Sequence, residues 1–409
     1  MTMNVDMKEP AHVDAAIEAE RAGFFVSDID IYSEEVLRDP YPVYASFREA
    51  GGAVFLARHN VYAFARFDQV RNALADWETY ASSDGITLNP AFNRMVSNST
   101  LFSDPLHHTH LRKVLGRPLT PAALAKLRDQ VTAEAEALVA KLMARKRFDA
   151  VTDLAQYLPL TIVSKLVGMP DEGRERMLEW AFATFDAFGP PSQRTNGTLE
   201  IIEQMFVFAR EYLRKDLVRP GSWHAMIFEA AERGEITEDE CKGLLGDYIV
   251  PSLDTTISAT SNAVWQFANA PDQWTALRND PKLIPNAINE VIRIEAPVQG
   301  FARVTTKACA VDGRPIPQGA RVIMLFASAN RDELRWPDAD RFDVTRPAAD
   351  QLGFGHGHHR CVGANLARLE ISALFTAMLP HVERFVLHNS ERAINSMIRG
   401  WKSLDVEVR

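Results

Sequence analysis

Cysteine is scarce in this chain: Cys241, Cys309 and Cys361 are its three cysteines among 409 residues, and they lie far apart. That excludes a disulfide framework and an iron–sulfur ligand set, and it fits a reducing compartment. Long hydrophobic runs are also missing, since no stretch approaches the roughly 20 apolar residues of a membrane-spanning helix. The opening MTMNVDMKEPAHVDAAIEAE has neither the apolar core of a signal peptide nor the arginine-rich character of a transit peptide. A cytoplasmic protein with no membrane attachment is expected. An excess of basic charge is lacking too. The formal net charge is -9, against the dense basic surface that a nucleic-acid binder needs. No Gly/Ser linker or internal repeat divides the chain, so it reads as one domain over residues 1–409, with 1–25 loosely attached.

What is present is largely helical periodicity, and the expected fold class is mainly α with a smaller β portion. Pro42 to Glu49 reads as a short helix with proline in its first turn. Val54 to Phe67 reads as a β-hairpin turning at His59-Asn60. Thr120-Pro121 looks like a cap, followed by Leu124, Leu127, Val131, Leu138 and Leu142 at the spacing of one amphipathic helix. Thr237 and Glu240 have the spacing of a capping box, and the helix they open is expected to run to about Asn269, before Pro271. From Ala308 to Phe326, short strand-like runs flank the turns Asp312-Gly313 and Gln318-Gly319.

The strongest chemical signal is the segment Phe354-Gly355-His356-Gly357-His358-His359-Arg360-Cys361-Val362-Gly363, which leads into a helix. Closely spaced glycines let a loop lie against something broad and flat. A thiolate at a helix start is stabilised by free N–H groups and the helix dipole, which lowers its pKa. Taken alone, Cys361 is as readily a small buried hydrophobe. A zinc site drawing on His356, His358, His359 and Cys361 is a second alternative. Elsewhere, Glu290 and Arg293 stand three apart on a predicted helix and share a face, which by itself describes many surface ion pairs. Pro251-Ser252-Leu253-Asp254-Thr255-Thr256 places proline and polar residues inside the second long helix, where proline costs roughly 3 kcal/mol.

The spacing F-G-x-G-x-H-x-C-x-G, with these other segments in this order, resembles the cytochrome P450 family over nearly the whole chain. The resemblance implies the fold of that family with haem b between two helices, and a monooxygenase that uses dioxygen and two electrons. Cys361 becomes the iron ligand, with Phe354 and Gly363 beside it. His108, Arg112, Arg303 and His359 become the partners of the haem propionates, and a haem's two buried carboxylates need such partners. Asp254 and Thr255 fall on the family's acid–alcohol pair, the proton relay and the hydrogen-bonding partner of dioxygen. Pro251 and Ser252 depart from the usual Ala or Gly there. Glu290, Arg293 and Arg341 become a structural triad.

The stretches FDAFGPP, EAPVQGFARVTT, SANRD and RGWKSL look most like bacterial members that O-demethylate para-methoxybenzoate. Matching positions make Phe185, Phe188, Val298, Phe301 and Ile398 walls of an aromatic pocket. Asp84 stands where those members have an arginine and Asp247 where they have a serine. Added carboxylates repel a benzoate, so the expected substrate is a small, neutral or cationic, para-substituted aromatic. Electrons are expected from a ferredoxin and its reductase, because the chain has no dinucleotide-binding fingerprint. Arg112, Lys113, Arg117 and Arg360 form the basic patch that steers the ferredoxin. Terpenoid or fatty-acid hydroxylation is the alternative within the family. A haem protein that only carries electrons or senses gas is the alternative outside it.

Overall fold

The leucine periodicity after Thr120 yields two helices rather than the single one expected. The Thr120 hydroxyl accepts the Ala123 N–H and caps Pro121–Ala125. The chain then tightens through Lys126 N–H to Ala123 O and Leu127 N–H to Leu124 O before Arg128–Arg145 begins. Both pieces bury the predicted side, with Leu124, Val131, Leu138 and Leu142 in one helical core cluster. These facts come from a computed structural model that describes residues 9–96, 99–169 and 176–409.

The second long helix is also divided. Its capping box forms in both directions, Glu240 N–H to the Thr237 hydroxyl and Thr237 N–H to the Glu240 carboxylate. The helix runs over Glu238–Ile249, stops, and resumes as Asp254–Asn269. Pro251 supplies no N–H and crowds the preceding turn, so continuity through it is lost. The freed carbonyls find local partners. The Ser252 hydroxyl donates to Tyr248 O at 2.5 Å and Thr255 to Pro251 O at 2.9 Å. Past the break the helix is enclosed on nearly every side, from Thr256 to Val264. Asn262 ties it to the backbone of Glu295 and Arg399.

A six-stranded mixed sheet lies beside this helical core, in the order Phe25–Ser27, Ala53–Leu56, Val61–Phe64, Arg321–Leu325, Gly300–Thr305, Tyr80–Ala81. The predicted hairpin supplies the second and third strands, and Asn60 takes the left-handed conformation that closes it. Asp312 and Gly313, both with positive φ, close a two-residue hairpin between Cys309–Val311 and Arg314–Ile316. Residues 1–8 lie outside the described residues. The rest of the expected loose start is attached instead: Glu9–Arg21 is helical, and Ala19 and Phe24 are buried in the cluster under the sheet.

Glu290 and Arg293 are fully buried and meet through two hydrogen bonds, of 2.7 and 2.8 Å. The third side chain is Arg346, whose Nε lies 3.1 Å from the Glu290 carboxylate. Arg341, expected in that place, is exposed and contributes its carbonyl to Arg293. Both arginines lie in the same irregular segment, and sequence spacing alone does not say which one folds back.

Candidate active site

Backbone bonds and close approaches set the shape of the cysteine loop. Cys361 N–H donates to Phe354 O at 2.8 Å, and Gly355 N–H donates to Leu352 O at 2.8 Å. Gly357 has φ +67°, and a Cβ there would stand 2.5 Å from the Leu74 carbonyl oxygen. Only glycine fits that contact. Gly363 ends the loop at the N-terminus of Ala364–Met378. Arg368, on that helix, lies 4.4 Å over the Phe354 ring.

Burial pushes the Cys361 thiol up, while the N–H groups of Gly363 and Ala364 and the guanidiniums of Arg112 and Arg368 act in the opposite direction. The expected fall in pKa is therefore outweighed by desolvation in the protein alone. A bound metal ion reverses this, because a coordinating thiol loses its proton outright. The zinc alternative fails on geometry: among the described residues no three His, Cys, Asp or Glu side chains gather as a metal site. His359 is bonded to the Ser82 hydroxyl, and His358 sets its ring against Trp77.

Beside the thiol lies a group of cationic or potentially cationic side chains from three segments: His108 and Arg112 of one helix, Arg303 and His359. The His108 and His359 rings are 4.3 Å apart. Among the described residues both nitrogens of buried His108 lack a hydrogen-bond partner. Buried Arg303 makes one bond, to the carbonyl of Ala302. Burial, reinforced by neighbouring cations, lowers His108 to about 4 and His359 to about 2, and burial lowers Arg303 to about 10. Asp104 is already engaged by the N–H groups of Ser82 and Ser83. Orphaned buried donors around a missing negative charge are costly unless a ligand supplies it. A flat group bearing two carboxylates fits both this cluster and the loop.

The space in front of the thiol is a cavity of about 1270 Å³. Cys361, Gly363, Phe354, Leu366, His359, Arg112 and Arg303 line it together with Thr255, Thr256 and Ala259 of the resumed helix. Both helices flanking the expected macrocycle thus reach one cavity.

The family pattern for Cytochrome P450 matches residues 192–400. The chain is 37% identical over 385 residues to Cytochrome p450 CYP199A2 of Rhodopseudomonas palustris, covering 93% of each protein. This chain belongs to the cytochrome P450 family. It is also 31% identical over 407 residues to Cytochrome P450 monooxygenase PikC of Streptomyces venezuelae, covering 94% of each. Among solved structures, it superposes on P450BioI in complex with acyl carrier protein ligated to hexadec-9Z-enoic acid with a TM-score of 0.82. That match has 25% identity and covers 92% of this chain and all of the other. P450 enzymes are haem b monooxygenases that take electrons from redox partner proteins. The bound haem supplies oxygen activation and transfer of one oxygen atom to substrate.

One wall of the P450 cavity is aromatic. Ring centroids step from Phe92 to Phe188 (5.2 Å), from Phe188 to Phe185 (5.7 Å) and to Phe301 (6.0 Å), then from Phe301 to Phe326 (5.7 Å). Phe185, Phe188, Val298, Phe301, Asp247 and Pro251 line it. Two predicted residues do not. Asp84 is exposed and outside the lining, and its carbonyl accepts Arg321. Ile398 is buried behind the wall, bridged to Val298. Phe92, Thr100, Phe102 and Phe326 line the cavity without having been foreseen. The short Asn89-capped helix and the turn that carry the first three show too little periodicity to reveal a buried face.

At the helix break, Thr255 reaches the cavity while Asp254 is buried behind it with Oδ2 unpartnered. Burial pushes the Asp254 carboxyl up to about 7. In the basic patch, Lys113 and Arg360 are exposed, Arg112 is turned to the cavity and Arg117 is paired with Glu235. Among the described residues no helix is long and apolar enough to cross a membrane.

Proposed function

We propose that this P450 hydroxylates or O-demethylates a small, para-substituted aromatic molecule. The observation that carries the reading is the continuous phenylalanine wall in the cavity that also contains Cys361. Flat rings stack or pack edge-on against such side chains at the spacings found here. In this reading Cys361 ligates the haem iron, with Phe354 and Gly363 shielding the sulfur. His108, Arg112, Arg303 and His359 hold the propionates. Thr255 holds dioxygen in place through its hydroxyl, and Asp254 passes protons from behind it. An acid poised near neutrality suits proton transfer at ordinary pH. A protein that only carries electrons has no use for that pair.

The electron donor is a ferredoxin docking near Lys113 and Arg360, in one cytoplasmic compartment with its reductase. Asp247 in the wall favours a neutral or cationic ring over a benzoate, now without help from Asp84. The test is a titration of the haem protein with methoxylated aromatics, followed by the spin state of the iron and by formaldehyde release. Tight high-spin binding with one formaldehyde per turnover supports O-demethylation. Binding confined to long aliphatic or terpenoid ligands overturns the aromatic reading.

A further inference from the structure

Within the largely apolar cavity, Asp247 stands apart from the other carboxylates. Glu232, Glu238 and Asp239 also belong to the lining, but each is at least half exposed and paired with Lys215 or Lys242. Asp247 has no basic side chain within ion-pair distance among the described residues. Its Oδ2 accepts Thr100 N–H at 2.9 Å, and among the described residues Thr100 is the carboxylate's one hydrogen-bonding neighbour. The neighbouring Thr100 hydroxyl is buried against the same carboxylate and acts on it as well. Arg112 acts on Asp247 only at longer range and belongs to the basic group beside the thiol. A half-enclosed carboxylate with no basic partner is costly when left alone. A ligand that donates hydrogen bonds removes that cost.

We propose that Asp247 and Thr100 form the polar anchor of the substrate cavity, selecting aromatic ligands that carry a hydrogen-bond donor, best an ammonium and next a hydroxyl, para to the oxidised group. The inference rests on the aromatic reading above and adds the identity of the second substituent. Asp247 precedes the helix break and Thr255 follows it, and both line the same cavity. A ring held by its donor at Asp247 keeps its other end free within the same cavity. A benzoate meets a like charge at the anchor and is rejected.

The experiment compares haem-loaded wild type with Asp247→Asn, which keeps the acceptor for Thr100 N–H, and with Asp247→Ser. Each is titrated with 4-methoxybenzylamine, 4-methoxybenzyl alcohol, 4-methylanisole and 4-methoxybenzoate, read by the haem spectrum. In wild type the amine should bind about tenfold or more tighter than the apolar 4-methylanisole, and the benzoate weakest, since hydrogen bonds to charged groups carry that weight. Asp247→Asn should remove most of the amine preference and leave 4-methylanisole within about twofold. An unchanged ranking in both variants overturns the anchor. A low-spin shift with the amine, reporting nitrogen on the iron and so a reversed ring, also overturns it. If no ligand shifts any of the proteins, it is the aromatic reading that fails, and the anchor falls with it.

Discussion

The cysteine loop and the interrupted helix face one cavity, yet they treat their backbone differently. In the loop from Phe354 to Gly363, glycines with positive φ and short backbone bonds fix the chain to its neighbours, Leu74 among them. At Pro251 the helix gives up its ladder, and the Ser252 and Thr255 hydroxyls repair it. The first arrangement suits a cofactor whose shape never varies. The second leaves the buried Asp254 carboxyl with one oxygen unpartnered among the described residues, which suits the proton delivery proposed above. Each prediction below presses on one side of that contrast.

Cys361→Ser should have the largest effect. Turnover is abolished and the reduced, carbon-monoxide-bound spectrum leaves the range of thiolate ligation, because a neutral hydroxyl is a poor iron ligand. Retention of both would undo the assignment of the loop. Asp254→Asn should lower product formation by about a hundredfold, in the usual range for a general acid, while haem content stays normal. The pH profile adds a sharper readout. With its carboxyl pushed up to about 7, Asp254 carries a proton below that pH and loses it above. Wild-type turnover should fall as pH rises through about 7, and the variant should lack that limb.

Gly357→Ala places a Cβ against the Leu74 carbonyl in a left-handed conformation, so a loss of about 2–3 kcal/mol in urea unfolding is expected, with poorer haem retention. An alanine protein of full stability would mean the loop is less constrained than its contacts indicate. Glu370→Gln is expected to act on pH dependence alone. Glu370 sits on the cysteine-side helix with both oxygens buried and unpartnered, and burial raises it to about 8 from an ordinary 4.5. The folded protein then keeps a proton that the unfolded chain releases, so wild-type stability should decline between about pH 4.5 and 8. Urea midpoints of the glutamine variant should be flatter over that window.

Much of this site was legible in the residues because its parts are local. Cys361 and its glycines are neighbours in sequence, and Thr237 with Glu240 marks a helix start that forms as expected. Pro251 announced a defect, although the expected helix was carried through it. Legibility failed where a long loop chooses among similar residues, as with Arg346 in place of Arg341 beside Glu290. It failed again where alignment to relatives put Asp84 in the pocket, while the fold turns it outward and gives its carbonyl to Arg321.

The sequence by itself determined the family and the helical class, since both depend on spacing within short segments and on the chemistry of those residue types. Tertiary structure alone decided which phenylalanines form the cavity wall, which arginine closes the buried triad, and that Asp247 faces the cavity. Those are matters of contact between segments remote in the chain, and they are fixed by how helices and loops pack once folded.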